Sequence, residues 1–486
     1  MQRLDCRALE HSKARELTRS YLVVLGELRR VGKGGAVKVY VHDVDGSDAM
    51  NHDTVITVAH VSMSDKSGGA ARAAFRQHQA LNRSGSVRSR MLVMSKLSSD
   101  PEVIAFDYRR SLLGRLERKL EKTRLDWVKR RAFRHRPLGL EVFSDDRSEQ
   151  GKGAFDQLPD CDVVNLHWID GFVPFEDVLK RFPRSGPVVW TLHDMAPFTG
   201  GCHYDHGCSG YVTGCGRCPQ LGSTKEKDLA YAVWGRKQTA MRRWGSSRLT
   251  VVATSSWLRE RAERSRLFRD IGFHTIPYGI DIGAFMPGNR EESRKRFGLP
   301  INGLVLAFMA TGAQLPRKGY ELLREALEHL PCRHDLTLFT VGGGKPTSPA
   351  GLRHAHLDRA ASDDEVVGVY RAADIFVMPS IQEAYGLTGQ EAMACGIPLV
   401  GFRTGMCVDA VEHGRNGLLV DVGDVGGLRD AIEYLLDNPS ERESMGAAAR
   451  AHVCEQLSYE CNARRYEELY LSLLTRQRDR DAGTRQ

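Results

Sequence analysis

Two glutamates, Glu383 and Glu391, lie eight residues apart and are the side chains of this chain best placed to do chemistry. They fall in the segment MPSIQEAYGLTGQEAMACGIPLV, residues 378–400. Apolar runs before and after it predict a strand, a loop, a helix opening near Thr388 and a second strand. Open α/β sheets bind ligands at such loops, beyond the carboxyl ends of parallel strands. Backbone N–H groups and the start of the following helix would form an anion site there.

The elements that must position this loop alternate between strand and helix in both halves of the chain. In the first half, a strand at 55–61 precedes a small-residue loop, a helix over 70–81 and a strand at 90–94. In the second half, the runs LVLAFMATG, LTLFTVGGG, DIFVMPS and IPLVGF alternate with helical patterns. This repetition predicts an α/β protein with two Rossmann-like domains that face each other across a cleft.

Composition narrows the class of protein. The chain has 486 residues and a formal net charge of +8, which favours anionic ligands or surfaces without choosing among them. It contains no apolar run of the roughly 18–20 residues that span a bilayer. The first 20 residues are charged and lack an apolar core, so we expect no secretory signal. Eleven cysteines are too few for a disulfide scaffold at this length and suit a reducing compartment.

A basic segment at 108–136 carries twelve Lys and Arg residues against three Asp and Glu residues. Leu113, Leu116, Leu120 and Trp127 fall on one helical face, which predicts an amphipathic helix or helix pair. One interpretation is a surface helix whose long basic side chains cover apolar neighbours. The other is a helix that docks on an anionic membrane surface.

Four cysteines form a cluster with the spacing C-x5-C-x6-C-x2-C. They are Cys202, Cys208, Cys215 and Cys218. Four thiolates would satisfy a tetrahedral Zn²⁺ ion, and the close C-G-R-C pair resembles half of a zinc knuckle. We therefore expect a structural zinc ion that folds a long loop, with His203 and His206 as substitute ligands. Two disulfides or free thiols are the alternatives.

Several motifs resemble the retaining GT-B glycosyltransferases of family 4. The run EAYGLTGQE from Glu383 to Glu391 resembles the E-x7-E motif of that family, and YRAADIFVMPS, EAMACGIPLV and PRKGYELLREAL are similar to neighbouring segments. GGAARAAFRQHQAL and TLHDMAPFTGGCHY resemble the N-terminal domain of the colanic-acid and exopolysaccharide branch. The resemblance covers residues 55–475 and says nothing about 1–54.

The resemblance implies a role for each matching residue. Glu391 would bind the ribose hydroxyls of a nucleotide, and Glu383 would lie beside the transferred sugar. Lys318 would neutralise the diphosphate leaving group, and His193 would contact the sugar from the opposite domain. The remaining positions would contribute backbone at the sugar and phosphates: Gly68, Gly69, Ala384, Tyr385, Gly386 and Leu387.

One departure from the family pattern concerns the diphosphate. The family places an arginine early in the diphosphate segment, where this chain has Gly312, Ala313 and Gln314. Arg317, beside Lys318, is the candidate substitute. The sequence offers no DxD-type aspartate pair in a fitting position, so we expect transfer without a metal ion and without any other catalytic cofactor.

We expect five segments along the chain. Residues 1–54 form an extension of unknown role, 55–290 an acceptor-side domain with the cysteine cluster, and 291–455 a nucleotide-sugar-binding domain. Residues 456–475 form a helix that returns to the N-terminal domain, and 476–486 a disordered tail.

The predicted activity is transfer of a sugar from a nucleotide sugar to a saccharide acceptor. We expect this acceptor to be a lipid-linked intermediate of exopolysaccharide synthesis. The expected location is the cytoplasm, with peripheral contact at the inner face of an anionic membrane. A nucleotide-sugar epimerase of the same fold and a non-catalytic nucleotide- or anion-binding protein are the alternatives. We expect no nucleic-acid partner, because the glutamate pair would repel its phosphates.

Overall fold

The computed structural model describes residues 55–107, 112–148, 154–180, 186–244, 249–331 and 335–483. The extension expected at 1–54 lies outside these residues. Residues Thr57–Gln486 form one compact unit. Its described part contains two sheets, one in each half of the chain, as the repeated pattern predicted.

The N-terminal sheet has seven strands in the order β3-β2-β1-β4-β5-β6-β7. The pairs β2–β3, β1–β4, β4–β5, β5–β6 and β6–β7 are parallel. Its strands are β1 (Ile56–Ser64), β2 (Val87–Ser95), β3 (Val103–Ala105), β4 (Val163–Leu166), β5 (Val188–Thr191), β6 (Leu249–Ala253) and β7 (Gly272–Thr275).

The C-terminal sheet has six strands in the order β10-β9-β8-β11-β12-β13, and every neighbouring pair is parallel. Its central strands are buried on both faces, which is why they appear in the sequence as continuous apolar runs. The strands are β8 (Leu304–Gly312), β9 (Leu336–Gly343), β10 (Arg353–Leu357), β11 (Ile375–Met378), β12 (Leu399–Phe402) and β13 (Gly417–Val420).

Helices cover the faces of both sheets. Those of the N-terminal half are α1 (Gly68–Ser84), α2 (Leu112–Ala132), α3 (Phe175–Lys180), α4 (Gly210–Thr213), α5 (Leu229–Trp244) and α6 (Ser256–Arg264). Those of the C-terminal half are α7 (Arg290–Arg296), α8 (Tyr320–Glu328), α9 (Asp363–Ala372), α10 (Leu387–Ala394), α11 (Cys407–Ala410), α12 (Val425–Asp437), α13 (Pro439–Gln456) and α14 (Tyr459–Gly483). No helix in the described ranges is long and apolar enough to cross a membrane.

The last helix, α14, returns to the N-terminal half, as expected. The hydroxyl of Tyr470 accepts hydrogen bonds from Gln77 at 3.3 Å and Asn165 at 2.8 Å. The hydroxyl of Tyr466 lies 3.0 Å from Thr191 Oγ1. The helix continues to Gly483. The disordered tail expected from residue 476 is therefore wrong for residues 476–483.

Helix α1 is longer than the predicted 70–81. It begins at Gly68, whose φ of 89° lets the chain turn sharply out of β1. Gly85 ends the helix in the left-handed conformation. Together these two glycines set the direction in which α1 leaves the sheet edge and approaches the C-terminal domain.

Candidate active site

Glu383 is the centre of a buried ionic cluster in the cleft. It lies in the loop between β11 and α10 and is only 7% exposed. Lys318 Nζ and Arg317 Nη1 both donate to Glu383 Oε2, the arginine at 3.2 Å. The two cations come from a 3₁₀ turn, Pro316–Lys318, that faces this loop. The adjacent residues therefore point to one carboxylate, and the role of Arg317 as a substitute for the family arginine stays a prediction.

The electrostatics of this cluster keep Glu383 ionised. Burial alone would raise the pKa of Glu383, but the charges of Lys318 and Arg317 outweigh it and hold that pKa below its usual range. Burial lowers the pKa of Lys318, and Arg317 adds to that effect while Glu383 opposes it. Lys318 and Arg317 thus share the carboxylate of Glu383.

Glu141, from the N-terminal domain, holds Arg317 from the other side. Arg317 Nε donates to Glu141 Oε1, and His206 Nε2 lies 3.0 Å from Oε2 of the same carboxylate. The guanidinium of Arg317 also stacks 3.9 Å from the ring centroid of Tyr204. The sequence carried no signal for Glu141, because it lies in an irregular segment outside every motif.

Glu391, the second glutamate of the motif, is also fully engaged. Its Oε1 accepts a hydrogen bond from Arg76 Nη2 at 2.7 Å, and its Oε2 accepts one from the Tyr370 hydroxyl at 2.9 Å. Arg76 belongs to α1 of the opposite domain, and its guanidinium lies 4.9 Å from the Phe285 ring centroid. The expected ribose-binding carboxylate thus forms an ion pair between the domains.

One of the two glycines after β1 lies beside the glutamate loop. A Cβ added at Gly69 would lie 3.7 Å from Leu387 Cδ1, whereas one added at Gly68 would meet nothing within 4 Å. Gly386 has a φ of 104°, and a Cβ there would come within 2.9 Å of Met378 Sδ. Only glycine fits this position, which lets the loop turn directly into α10.

The neighbouring loop residues are buried against the N-terminal domain. Ser255 donates a hydrogen bond to the Ala384 carbonyl at 2.6 Å. Tyr385 packs against Tyr278 with 4.4 Å between ring centroids and the ring planes tilted by 57°. The segment 384–387 therefore forms part of the domain interface as well as the expected donor site.

His193 lies in the cleft but both of its ring nitrogens bind protein groups. Nε2 lies 2.9 Å from His167 Nδ1, and Nδ1 contacts the hydroxyl of Tyr278. His167 Nε2 in turn lies 2.8 Å from His60 Nδ1. Four buried side chains thus form one hydrogen-bonded chain, and His193 would contact a sugar only by giving up one of these bonds.

Burial keeps this histidine chain neutral. It lowers the pKa of His193 to about 4 and the pKa values of His60 and His167 well below their ordinary value. A neutral His193 offers a hydrogen-bond donor or acceptor but no charge at physiological pH. The chain was not predicted, although His167 and His193 each end a strand in the sequence.

The four clustered cysteines meet at one small cavity of about 20 Å³. All four are free thiols, and Gly210 N–H donates to Cys208 Sγ at 3.4 Å. Burial raises the pKa of Cys215 to about 12 and of Cys218 to about 11. As they stand, no three His, Cys, Asp or Glu side chains among the described residues are arranged to hold a metal ion. The zinc site stays a prediction.

The sequence profile of the family described as "Glycosyl transferases group 1" matches residues 289–452. This range contains the glutamate loop, Arg317 and Lys318. The matched part corresponds to the second sheet with its helices.

Curated relatives carry one repeated name. The chain is 35% identical over 218 residues to D-inositol 3-phosphate glycosyltransferase of Corynebacterium jeikeium, covering 40% of this chain and 51% of the relative. It is 35% identical over 312 residues to the protein of the same name from Arthrobacter sp., covering 60% and 66%. The chain spans about half the length of the first of these relatives. Their names do not refer to exopolysaccharide synthesis, so membership of that branch stays a prediction.

Solved structures share the whole fold at low identity. Sucrose-phosphate synthase from Thermosynechococcus elongatus superposes with a TM-score of 0.58 at 18% identity, covering 86% of this chain and 99% of that one. Anabaena HepE in complex with UDP-glucose superposes with a TM-score of 0.55 at 18% identity, covering 86% and 100%. At these identities the likeness shows the fold, which is the GT-B arrangement of two Rossmann-like domains. Residues 289–452 of this chain therefore match the group 1 glycosyl transferase family, and the fold of the described residues is the GT-B arrangement.

Proposed function

We propose that this protein transfers a sugar from a nucleoside diphosphate donor to an acceptor hydroxyl, with retention of anomeric configuration and without a metal ion. The observation that carries the proposal is the convergence of Lys318 and Arg317 on Glu383 in the cleft. Gly69 of the opposite domain lies next to the Leu387 side chain, where an added Cβ would be 3.7 Å from Leu387 Cδ1. This arrangement offers fixed cations and a carboxylate within a few ångströms of each other.

The charges suit the bond changes of sugar transfer. The bond between the anomeric carbon and the diphosphate oxygen breaks, a new bond to the acceptor oxygen forms, and the proton of the acceptor hydroxyl passes to the departing diphosphate. Negative charge develops on the departing diphosphate, where Lys318 and Arg317 would stabilise it. Positive charge develops at the sugar ring, where the ionised carboxylate of Glu383 would stabilise it. Retention is proposed from the resemblance of the Glu383–Glu391 segment, and determination of the product anomer by NMR tests it.

The nucleotide part of the donor would bind at Glu391. A buried carboxylate with two oxygens suits the paired hydroxyls of a ribose, and its present partners are a guanidinium and a phenol that donate in the same way. Ribose hydroxyls would replace the Tyr370 or Arg76 hydrogen bond at one oxygen. Anabaena HepE has been solved with UDP-glucose, which makes uridine nucleotides the first donors to test.

For the acceptor we propose a saccharide linked to a lipid. Helix α2 exposes Leu116 (56%), Leu120 (63%) and Trp127 (60%) among its basic residues. Large apolar side chains beside lysines and arginines suit the interface of an anionic membrane, where a lipid-linked acceptor would lie. Inositol phosphate, the acceptor in the relatives' name, is the rival.

Co-sedimentation with anionic liposomes tests the membrane contact. The triple variant Lys119→Glu, Arg130→Glu and Arg131→Glu should bind such liposomes much more weakly than the wild type. A charge-matched control changes exposed cations of the C-terminal domain: Lys295→Glu, Arg415→Glu and Arg429→Glu. Equal loss in both variants would mean that net charge alone, and not α2, governs binding.

We also propose a structural zinc ion at the four cysteines. Their sulfur atoms line one cavity, and their loop joins β5 to α5 beside the cleft. Binding would have to draw the thiols together, because their present spacing is not that of metal ligands. A closed four-cysteine site would stabilise the loop and take no part in catalysis.

Assays with a panel of nucleotide-sugar donors and a panel of acceptors test the activity. Thermal stabilisation by UDP-, GDP- and ADP-sugars identifies the donor, since a bound ligand raises stability by mass action. Turnover is then measured with EDTA present, with and without saccharide or inositol phosphate acceptors. Acceptor-dependent transfer supports the proposal. Turnover without acceptor would point to an epimerase, and binding without turnover to a non-catalytic protein.

A further inference from the structure

We propose that Glu141 is a displaceable counter-ion in the donor site. It would bind Arg317 while the site is empty, and the diphosphate of the donor would then replace it. The inference rests on the proposed function, because it assigns a role in donor binding to a residue outside the family motifs. Glu141 would act as a positioning residue. It would hold Arg317 in the cleft and then release it.

The charges of the cluster motivate this inference. Two cations, Arg317 and Lys318, face two carboxylates, Glu141 and Glu383. The side chains of Arg317 and Glu141 are only 10% and 12% exposed, so water screens them weakly. A diphosphate adds at least two negative charges. Placing it beside two buried carboxylates would be strongly unfavourable unless one of them leaves.

Protonation does not solve this conflict. Burial raises the pKa of Glu141, but the hydrogen bond from His206 and the charge of Arg317 lower it to about 2. Glu141 therefore remains ionised near neutral pH. To avoid repulsion between the charges, one carboxylate must therefore move away from the position that the diphosphate would take.

Glu141 is the carboxylate with fewer side-chain partners, and its backbone carbonyl accepts a hydrogen bond from Arg136 Nη2. Glu383 binds both cations, and its backbone N–H donates to Thr404 Oγ1 at 3.3 Å. Glu141 lies between helix α2 and the isolated bridge Phe143–Cys202, in neither a helix nor a strand. Its described side-chain partners are the Arg317 guanidinium and the His206 imidazole, whereas Glu383 accepts from Lys318, Arg317 and Tyr204.

Movement of the Glu141 side chain out of the site would free two hydrogen-bond donors. Arg317 Nε and His206 Nε2 now meet its two oxygens, and both would face an arriving diphosphate. The ring of Tyr204, stacked on Arg317, would keep the guanidinium in place during the exchange. The exchange therefore replaces one anion by another on the same cations.

The test measures binding of UDP, ADP and GDP to the full chain by calorimetry. Glu141→Gln removes the competing charge, and we expect the nucleotide that binds the wild type to bind roughly tenfold more tightly or better. In the background of Arg317→Ala, the same replacement should raise affinity by a clearly smaller factor, since competition for Arg317 is then absent and only that for His206 remains. Glu226→Gln, which removes the partner of Arg217 on an exposed loop, is the matched control and should bind like the wild type.

The outcomes separate the two proposals. If the wild type binds none of the three nucleotides, the proposed function fails. If it binds one but Glu141→Gln and Glu141→Ala bind it equally or more weakly, only the present inference fails. An equal gain in the presence and absence of Arg317 would also overturn it. Loss of folding in both Glu141 variants would show a structural residue and would overturn it as well.

Discussion

Arg76 Nη2 of the N-terminal domain lies 2.7 Å from Glu391 Oε1 of the C-terminal domain, and both side chains are buried. The two residues are 315 positions apart in the chain. The carboxylate expected to bind nucleotide thus also joins the two halves of the cleft. A ligand at Glu391 would therefore act on the contact between the domains.

Arg76→Ala should destabilise the protein strongly. It leaves the buried carboxylate of Glu391 with one partner, and breaking a buried ion pair in this way costs about 3–5 kcal/mol. Arg83→Ala is the control on the same helix, because its ion pair with Asp281 is exposed (56% and 26%). Exposed pairs contribute about 1 kcal/mol or less. Urea unfolding compares the two variants, and similar midpoints would contradict a special role for Arg76.

Lys318→Ala should lower kcat by about 10²–10³-fold, the effect of removing one group that stabilises charge on a leaving group. Lys318→Arg keeps the charge and should retain more of the activity. Steady-state kinetics with the donor identified by thermal stabilisation measures both variants. If Lys318→Ala changes only the KM of the acceptor, the assignment of Lys318 to the diphosphate is wrong.

Stability should fall as the solution is acidified from pH 6.5 towards pH 4. In the unfolded chain a histidine takes up its proton near pH 6.5, whereas folded His193 does so only near its pKa of about 4. The unfolded state therefore binds more protons in this window, and stability present above pH 6.5 is lost by about 1.4 kcal/mol per pH unit for each such histidine.

Replacement of His167 tests this linkage. His167→Gln removes one of the buried histidines, so its unfolding free energy should depend less steeply on pH between 6.5 and 4.5 than that of the wild type. His135→Gln, at an exposed position after α2 and outside the buried chain, is the control and should leave the slope as it is. Parallel slopes for His167→Gln and the wild type would mean that the buried chain takes up protons as readily as the unfolded one.

Purified protein should contain about one zinc ion per chain. A strong chelator should then lower the melting temperature, and Cys218→Ser should lose both the metal and the effect of the chelator. Cys461→Ser, in helix α14 and outside the cluster, should keep both. Metal content well below one per chain in the wild type would refute the zinc proposal.

The fold could be predicted from the sequence because the patterns that indicate its strands and helices are local. Apolar runs separated by helical patterns predicted two sheets, and the buried strands β11 and β12 show why such runs are continuous. Boundaries were less accurate. The last helix runs to Gly483, since its arginine-rich end continues a helix already anchored by Tyr466 and Tyr470.

Only part of the candidate site could be predicted from the sequence. The sequence named Glu383, Glu391 and Lys318 because they belong to recognisable motifs, and the structure brings Lys318 to Glu383. It did not name Arg76 or Glu141. Neither residue stands in a motif, and each matters only through the carboxylate or cation that it meets across the cleft.

By itself, the sequence determined the two parallel sheets and the glutamate loop between β11 and α10, because periodicity and turn residues act over a few neighbours. Only the tertiary structure decided which groups share the cleft. Glu141 meets Arg317 across 176 positions, and Arg76 meets Glu391 across 315. Such pairs depend on how the two domains pack against each other. Burial then makes them energetically important, because charges removed from water must find partners inside the protein.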